Sequence, residues 1–298
     1  MLTCRKDRIK CLECDKCKNF REVTGMGDFR QKPFERLAPC FNPRNSNEFV
    51  YVKKEGKIHT LIKYNLLNQN EVVLVSNTKV ICQPKWGSNG LIAFTAGDYQ
   101  IHLVKDDGSM VKRITSDNFH LYPDWKNDSV LCVEYTFNLG VPYYYCELSL
   151  EGNIIDTIRN KTFTLGSKNN LNEMAYLLFK GDANILFSYT STTAPLSAFE
   201  NTGRNAVSGI SWHPDNATVY FSTHLEGIYC INKNTRKTIQ IRNGCDSRSY
   251  RFMSISADGK KIIVERVDTE YNENDGSRLE ESNIYIMDID GDNEKKIF

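Results

Sequence analysis

The constraint that governs this chain is a repeat. From Gln83 to Thr115 the sequence reads as four short strands: a run ending at Trp86, then LIAFTA, QIHLV and MVKRIT, with turns at Ser88-Asn89-Gly90, Gly97-Asp98 and Asp106-Asp107-Gly108. Strand-formers alternate with polar residues inside each run, and turn residues fall between runs. The slot of Trp86 is filled again by Phe41, Trp125, Leu165, Trp212 and Ile255, at spacings of 39 to 47 residues. The later part of each unit recurs too, as an alternating strand followed by Asp107-Gly108, Glu151-Gly152, Lys233-Asn234 or Asp290-Gly291. Such pairs are the residues that tolerate the positive φ of a tight hairpin. The unit around Leu165 departs most, because Thr190 to Pro195 replaces the acidic-Gly turn. A four-stranded meander repeated every 40 to 45 residues is the mark of a β-propeller. The expected fold is therefore all-β: six blades, each a four-stranded antiparallel sheet, over residues 39–298, after a Cys-rich tail over residues 1–38.

The units resemble the repeat of TolB-like propellers. The likeness is carried by Trp86-Gly-Ser-Asn-Gly90, Trp212-His-Pro-Asp215, Ser256-Ala-Asp258-Gly259, and the Ile-Tyr pairs Ile228-Tyr229 and Ile284-Tyr285. It spans about residues 39–298 and is specific for fold rather than activity, since such propellers serve as peptide- and protein-binding scaffolds in unrelated settings. In this arrangement the anchor strand lines the central channel and its Trp packs between neighbouring sheets, where the indole N–H can reach a loop acceptor. Ring closure has two readings: the last unit finishes its own outer strand at Lys295 to Phe298, or residues around Phe29 to Leu37 add an edge strand.

The tail carries Cys4, Cys11, Cys14 and Cys17. Met1-Leu2-Thr3-Cys4 followed by a charged stretch resembles the end of a bacterial lipoprotein signal, which makes Cys4 a lipidation candidate and implies a membrane tether. No apolar leader stands within the sequence itself. Cys11, Cys14 and Cys17 have CxxC spacing twice over. That spacing fits local disulfides or free thiols in an exported protein, or a metal site completed by Cys4 or Cys40. The second CxxC pair of a zinc ribbon is absent. Within the repeats, Cys132 and Cys146 lie symmetrically about Asn138-Leu139-Gly140, so a cross-strand disulfide and two buried thiols are both open. Cys40 and Cys82 precede adjacent inner strands and are expected to approach one another.

With 38 basic and 37 acidic side chains, no global field draws in nucleic acid. GxSxG, HExxH and phosphate-loop signatures are missing. The five histidines include His213, which follows an anchor Trp and is expected near a channel mouth, and His120, which precedes the next blade. These two, with Asp215 and Asp275, are the candidate binding residues. Asp275 lies in the acidic insertion Asp268 to Ser282, whose carboxylates and amides suit a hard cation such as Ca²⁺, but EF-hand spacing is absent and a solvated long hairpin loop is the stronger reading. The expected function is a non-enzymatic scaffold of the bacterial envelope, periplasmic or lipid-anchored, with a cytoplasmic location as the alternative. It would hold a protein or peptide through channel-mouth loops and need no cofactor. The competing reading is a carbohydrate-active lyase or hydrolase with a divalent metal in the channel near His120 or His213.

Overall fold

The protein is known from a computed structural model, which describes residues 29–298 apart from 78–80, 138–143, 159–162, 170, 172, 181–182, 190–195, 202–206, 224–225, 246 and 272–276. The side chains of most of residues 163–201 are also outside it. Cys4, Cys11, Cys14, Cys17 and Asp275 lie outside the described residues.

A short strand, β1 (Phe29–Gln31), precedes the repeats. The first blade holds β2 (Phe34–Asn42), β3 (Asn45–Glu55), β4 (Ile58–Asn65) and β5 (Glu71–Asn77). The second holds β6 (Ile81–Trp86), β7 (Leu91–Ala96), β8 (Ile101–Lys105) and β9 (Lys112–Arg113). The third holds β10 (Phe119–Asn127), β11 (Val130–Thr136), β12 (Tyr144–Ser149) and β13 (Ile154–Ile158). The fourth is β14 (Phe163–Lys168), β15 (Met174–Lys180), β16 (Ala183–Tyr189) and β17 (Leu196–Asn201); the fifth is β18 (Val207–Trp212), β19 (Thr218–Thr223), β20 (Gly227–Asn232) and β21 (Thr238–Asn243). Then come β22 (Arg248–Ile255), β23 (Lys261–Tyr271), β24 (Arg278–Asp288) and β25 (Lys295–Lys296).

Only five sheets are four-stranded antiparallel blades, which corrects the expectation of six. The remaining sheet, which closes the ring, is five-stranded and mixed: β22, β23, β24 and β25 are joined by β1, paired parallel to β24 through Phe29–Arg278, Arg30–Leu279 and Gln31–Glu280. Both readings of closure therefore hold at once. The C-terminal strand β25 covers one end of β24 at Tyr285 and Ile286, and the N-terminal β1 covers the other. Lys32 continues the strand, donating its N–H to the Glu280 carbonyl and pairing with the Glu281 carboxylate.

The first strands neighbour one another in a closed cycle, β2, β6, β10, β14, β18, β22 and back to β2. Their side chains meet both adjacent blades, so the middle strands are buried on both faces. LIAFTA in β7 is apolar almost throughout for that reason. Trp86 packs with Cys40, Val50, Val52 and Leu61 of the first blade and with Ile92 and Phe94 of its own. Trp125 lies against Gly87, where a Cβ would come within 2.7 Å of the indole.

Register decides between the cysteine readings inside the repeats, in favour of buried thiols at Cys132 and Cys146. Val133 faces Cys146 and Cys132 faces Glu147, so the two thiols point to opposite sides of the sheet. Cys40 and Cys82 sit on opposite sides of their strands' irregularities, opposite Val50 and Thr95 respectively. Cys40, Cys82, Cys132, Cys146 and Cys230 are free, whereas Cys245 is disulfide-bonded. Among the described residues no helix is long and apolar enough to cross a membrane.

Candidate binding surface around the channel

Every inner strand breaks register near its middle, with bulges between Leu37 and Cys40, Cys82 and Lys85, Leu121 and Asp124, Thr164 and Gly166, Val207 and Gly209, and Arg251 and Met253, and β2 and β10 break again near their ends. At four of these the bulged residue is left-handed: Ala38 (φ 48°), Gln83 (43°), Tyr122 (52°) and Phe252 (41°). Three precede a proline, which disfavours the helical region for the residue before it and supplies no N–H to the ladder. A bulge re-aims the backbone, and here the freed N–H reaches across the seam between blades. Tyr122 donates to Thr95 Oγ1 of the second blade at 3.1 Å. Ala38 donates to Glu265 Oε2 of the closing sheet at 2.8 Å. Glu265 is 2 % exposed, and burial pushes its pKa up to about 7 against the pull of the Ala38 N–H and of Arg251.

These bulges line a cavity of about 30 Å³ in the channel, walled by Ala38, Pro39, Pro84, Tyr122, Pro123 and Phe252 among others. That volume admits one or two water molecules. Lys85 is the one charged side chain in its wall, and Asp124 lies 3.9 Å from its ammonium.

The inner strands all begin at one face of the propeller, here the upper face, and end at the other. The lower face is knitted together. Asn89 Nδ2 donates to the Asp128 carbonyl (2.6 Å), Asp258 N to Ser46 Oγ (3.1 Å), and Arg44 pairs with Asp106 (3.0 Å). His213 and Asp215 belong to this knitting. His213 Nε2 lies 3.1 Å from the Gly259 carbonyl, and Asp215 accepts from the N–H groups of Ala217 and Thr218 at 2.8 Å. Partial burial raises the Asp215 pKa, but these N–H donors outweigh it and hold the carboxyl below its ordinary value. Both residues are spent on turn geometry.

His120 is at the opposite face, at the start of β10. It is 2 % exposed, its ring sits 5.0 Å from that of Tyr135, and its Nδ1 is buried without a hydrogen-bond partner. Burial lowers its pKa, against the opposing field of Asp117, so the ring is neutral near pH 7. His120 and His213 therefore lie at opposite faces and share no site. Among the described residues no cluster of three His, Cys, Asp or Glu side chains is placed to hold a metal.

Around His120 the structure gathers residues that the sequence reading passed over. Tyr99, in the loop after β7, packs edge-on against Phe119 (5.2 Å, 85°). Tyr135 meets Phe137 (5.0 Å, 76°), and Phe137 meets Tyr144 (6.3 Å, 77°). Tyr99 and Phe137 are 42 % and 55 % exposed, the two strongly exposed aromatic side chains among the described residues. In a chain with 15 Tyr and 15 Phe nothing in the sequence marks these two. Their signal was position, since each sits in the loop between the second and third strands of its blade.

No protein-family model matches the chain, and no curated protein does. Solved structures do. A putative TolB from Agrobacterium tumefaciens superposes with a TM-score of 0.58 at 12 % identity, covering 89 % of each chain. TolB from Acinetobacter baumannii gives 0.60 at 14 % identity, over 86 % of this chain and 62 % of that one. An oligogalacturonate lyase in complex with manganese gives 0.54 at 10 % identity, over 89 % of this chain and 77 % of that one. At such identities the likeness establishes the fold: the chain is a β-propeller similar to those of TolB proteins.

Proposed function

We propose that the protein is a binding scaffold of a bacterial cell envelope, holding a protein or peptide partner on its upper face without catalysing a reaction. The observation that carries this reading is the pair Tyr99 and Phe137, exposed on one face in adjacent blades and each propped by a packed aromatic neighbour. Rigid aromatic side chains on a fixed support are the residues that dominate protein interfaces, because they bury much area at little entropic cost. The similarity to TolB structures is consistent with the envelope, as is the disulfide at Cys245, since such bonds persist in oxidising compartments. A lipid tether at Cys4 remains part of the proposal. The carbohydrate-active alternative draws on the likeness to the lyase, but among the described residues no three His, Cys, Asp or Glu side chains gather at His120 or at His213 to hold its metal.

The test is cross-linking in envelope extracts followed by calorimetry with the purified candidate. A defined partner that binds the wild-type chain stoichiometrically, and at least tenfold more weakly when Tyr99 and Phe137 are both alanine, supports the scaffold. Oligosaccharide cleavage together with a metal retained after dialysis would replace it with the enzyme.

A further inference from the structure

Resting on the scaffold reading above, we infer that the upper face of the second and third blades receives a positively charged segment of the partner, with an arginine or lysine side chain held against Phe137 beside the Asp117 carboxylate. The aromatic faces come first. Phe137 stands nearly perpendicular to both Tyr135 and Tyr144, so neighbouring rings present faces at steep angles to one another. The face of an aromatic ring is its electron-rich side, and a cation within about 6 Å of the centroid gains roughly 0.5–2 kcal/mol there.

The carboxylate is the second element. Asp117 takes part in none of the ion pairs among the described residues. Its side chain accepts from Asn118 Nδ2 at 3.1 Å, and that same nitrogen lies 2.9 Å from the Tyr135 hydroxyl. Asn118 thereby fixes the carboxylate beside the ring. The field of Asp117 is felt by both neighbours: after burial, it is the next cause raising the pKa of Tyr135, and it opposes the burial that lowers that of His120. Asp98, close by in the second blade, is by contrast answered by His102 at 3.3 Å and Arg113 at 3.7 Å. His120 supplies no competing charge, because it is buried and neutral.

The backbone holds this arrangement in advance. Tyr99 and Asn118 are both left-handed, at φ 59° and 50°. His120 N donates to the Tyr99 carbonyl (2.9 Å), and Gln100 Nε2 donates to the Asn118 carbonyl (2.7 Å). Residues kept in a costly conformation by their surroundings are found where a surface is prepared for binding. A cation satisfies both the ring faces and the carboxylate, whereas an anionic segment is repelled by both.

The experiment is an NMR titration of the intact chain with N-acetyl-arginine amide, N-acetyl-glutamate amide and cellobiose. The arginine probe is expected to shift resonances of Phe137, Asn118 and Tyr99 with millimolar affinity. Raising salt from about 50 to 300 mM should weaken that binding severalfold. Asp117→Asn should weaken it at least threefold and Phe137→Ala should abolish it, while Asp107→Asn on the lower face leaves it unchanged. An equal response to the glutamate probe, salt-insensitive binding of cellobiose in place of arginine, or arginine binding that survives Phe137→Ala would each overturn the assignment. If a partner protein is found and Asp117→Asn and Phe137→Ala bind it as tightly as wild type, the scaffold stands and this surface falls. If the arginine probe binds as described and no envelope protein does, the scaffold reading is the one lost.

Discussion

Trp86, Trp125 and Trp212 occupy one repeat position, yet they are not equivalent. Trp125 Nε1 donates to the Lys85 carbonyl and Trp212 Nε1 to the Ser167 carbonyl, both at 2.9 Å. Trp86 Nε1 is buried with no partner, its backbone N–H alone being taken by Cys40 Sγ at 3.4 Å. A buried N–H left unpaired carries its full desolvation cost, on the order of 1–3 kcal/mol. Replacing Trp by Phe at residue 86 should therefore cost about 1 kcal/mol less than the same change at residue 125 or 212, measured by urea unfolding. Equal losses at the three positions would show that packing alone sets the cost. Glu265 makes the second prediction at this scale. Its folded pKa of about 7 stands above the ordinary 4.5, so the folded state holds the proton more tightly. The stability that this proton confers is complete below the unfolded value and is lost as pH rises toward 7. Glu265→Gln keeps an acceptor for the Ala38 N–H and removes the buried charge. The variant should match wild type near pH 4 and exceed it by about 3 kcal/mol at pH 8, among fixed neighbours Arg251, Glu35 and Ser282. A difference independent of pH would mean that the carboxyl does not titrate there.

At the scale of elements, the propeller was legible because strand period and turn chemistry repeat together, and Trp, Phe or an aliphatic residue marks each inner strand. The bulges were half-legible: Ala38-Pro39, Gln83-Pro84 and Tyr122-Pro123 stand in equivalent places, but only the register shows that the residue before the proline turns left-handed. β1 was hidden. Phe-Arg-Gln carries no alternation, and its partner strand lies some 250 residues away in sequence, so no local pattern reports the pairing. The exposure of Tyr99 and Phe137 was hidden for a related reason, since an aromatic residue in a loop looks the same whether it faces the core or water. At His213 the sequence offered a binding candidate near a channel mouth, and the structure adds that its ring brackets a turn of the next sheet. A Cβ on Gly259 would fall 2.5 Å from His213 Nε2, and Gly259 itself is left-handed at φ 71°. Gly259→Ala should then destabilise by about 2 kcal/mol, with part of the loss recovered when His213→Ala is added. Strict additivity in that double-mutant cycle would separate the two residues.

For the whole molecule the decisive seam is the one between the first blade and the closing sheet. Phe41, Phe49, Tyr51 and Tyr64 pack there against Ile263, Ile284 and Ile286. Phe298 lies 5.1 Å from the Tyr51 ring and 4.9 Å from that of Tyr64, and the Arg36 guanidinium stacks over it at 4.2 Å. Phe298→Ala should cost about 1–3 kcal/mol and raise hydrogen exchange in β2, β3 and β24 before the third blade is affected. Uniform loss of protection around the ring would mean that the seam is not where opening starts. The three-residue strand β1 has a mechanical consequence of its own. With the Cys245 disulfide reduced, tension applied at Phe29 enters the propeller through a few backbone pairs and the Lys32–Glu281 ion pair. Every blade behind that point is held by longer ladders. Under that load β1 peels away first, paying out a few residues, while the ring stays closed by β25 and Phe298.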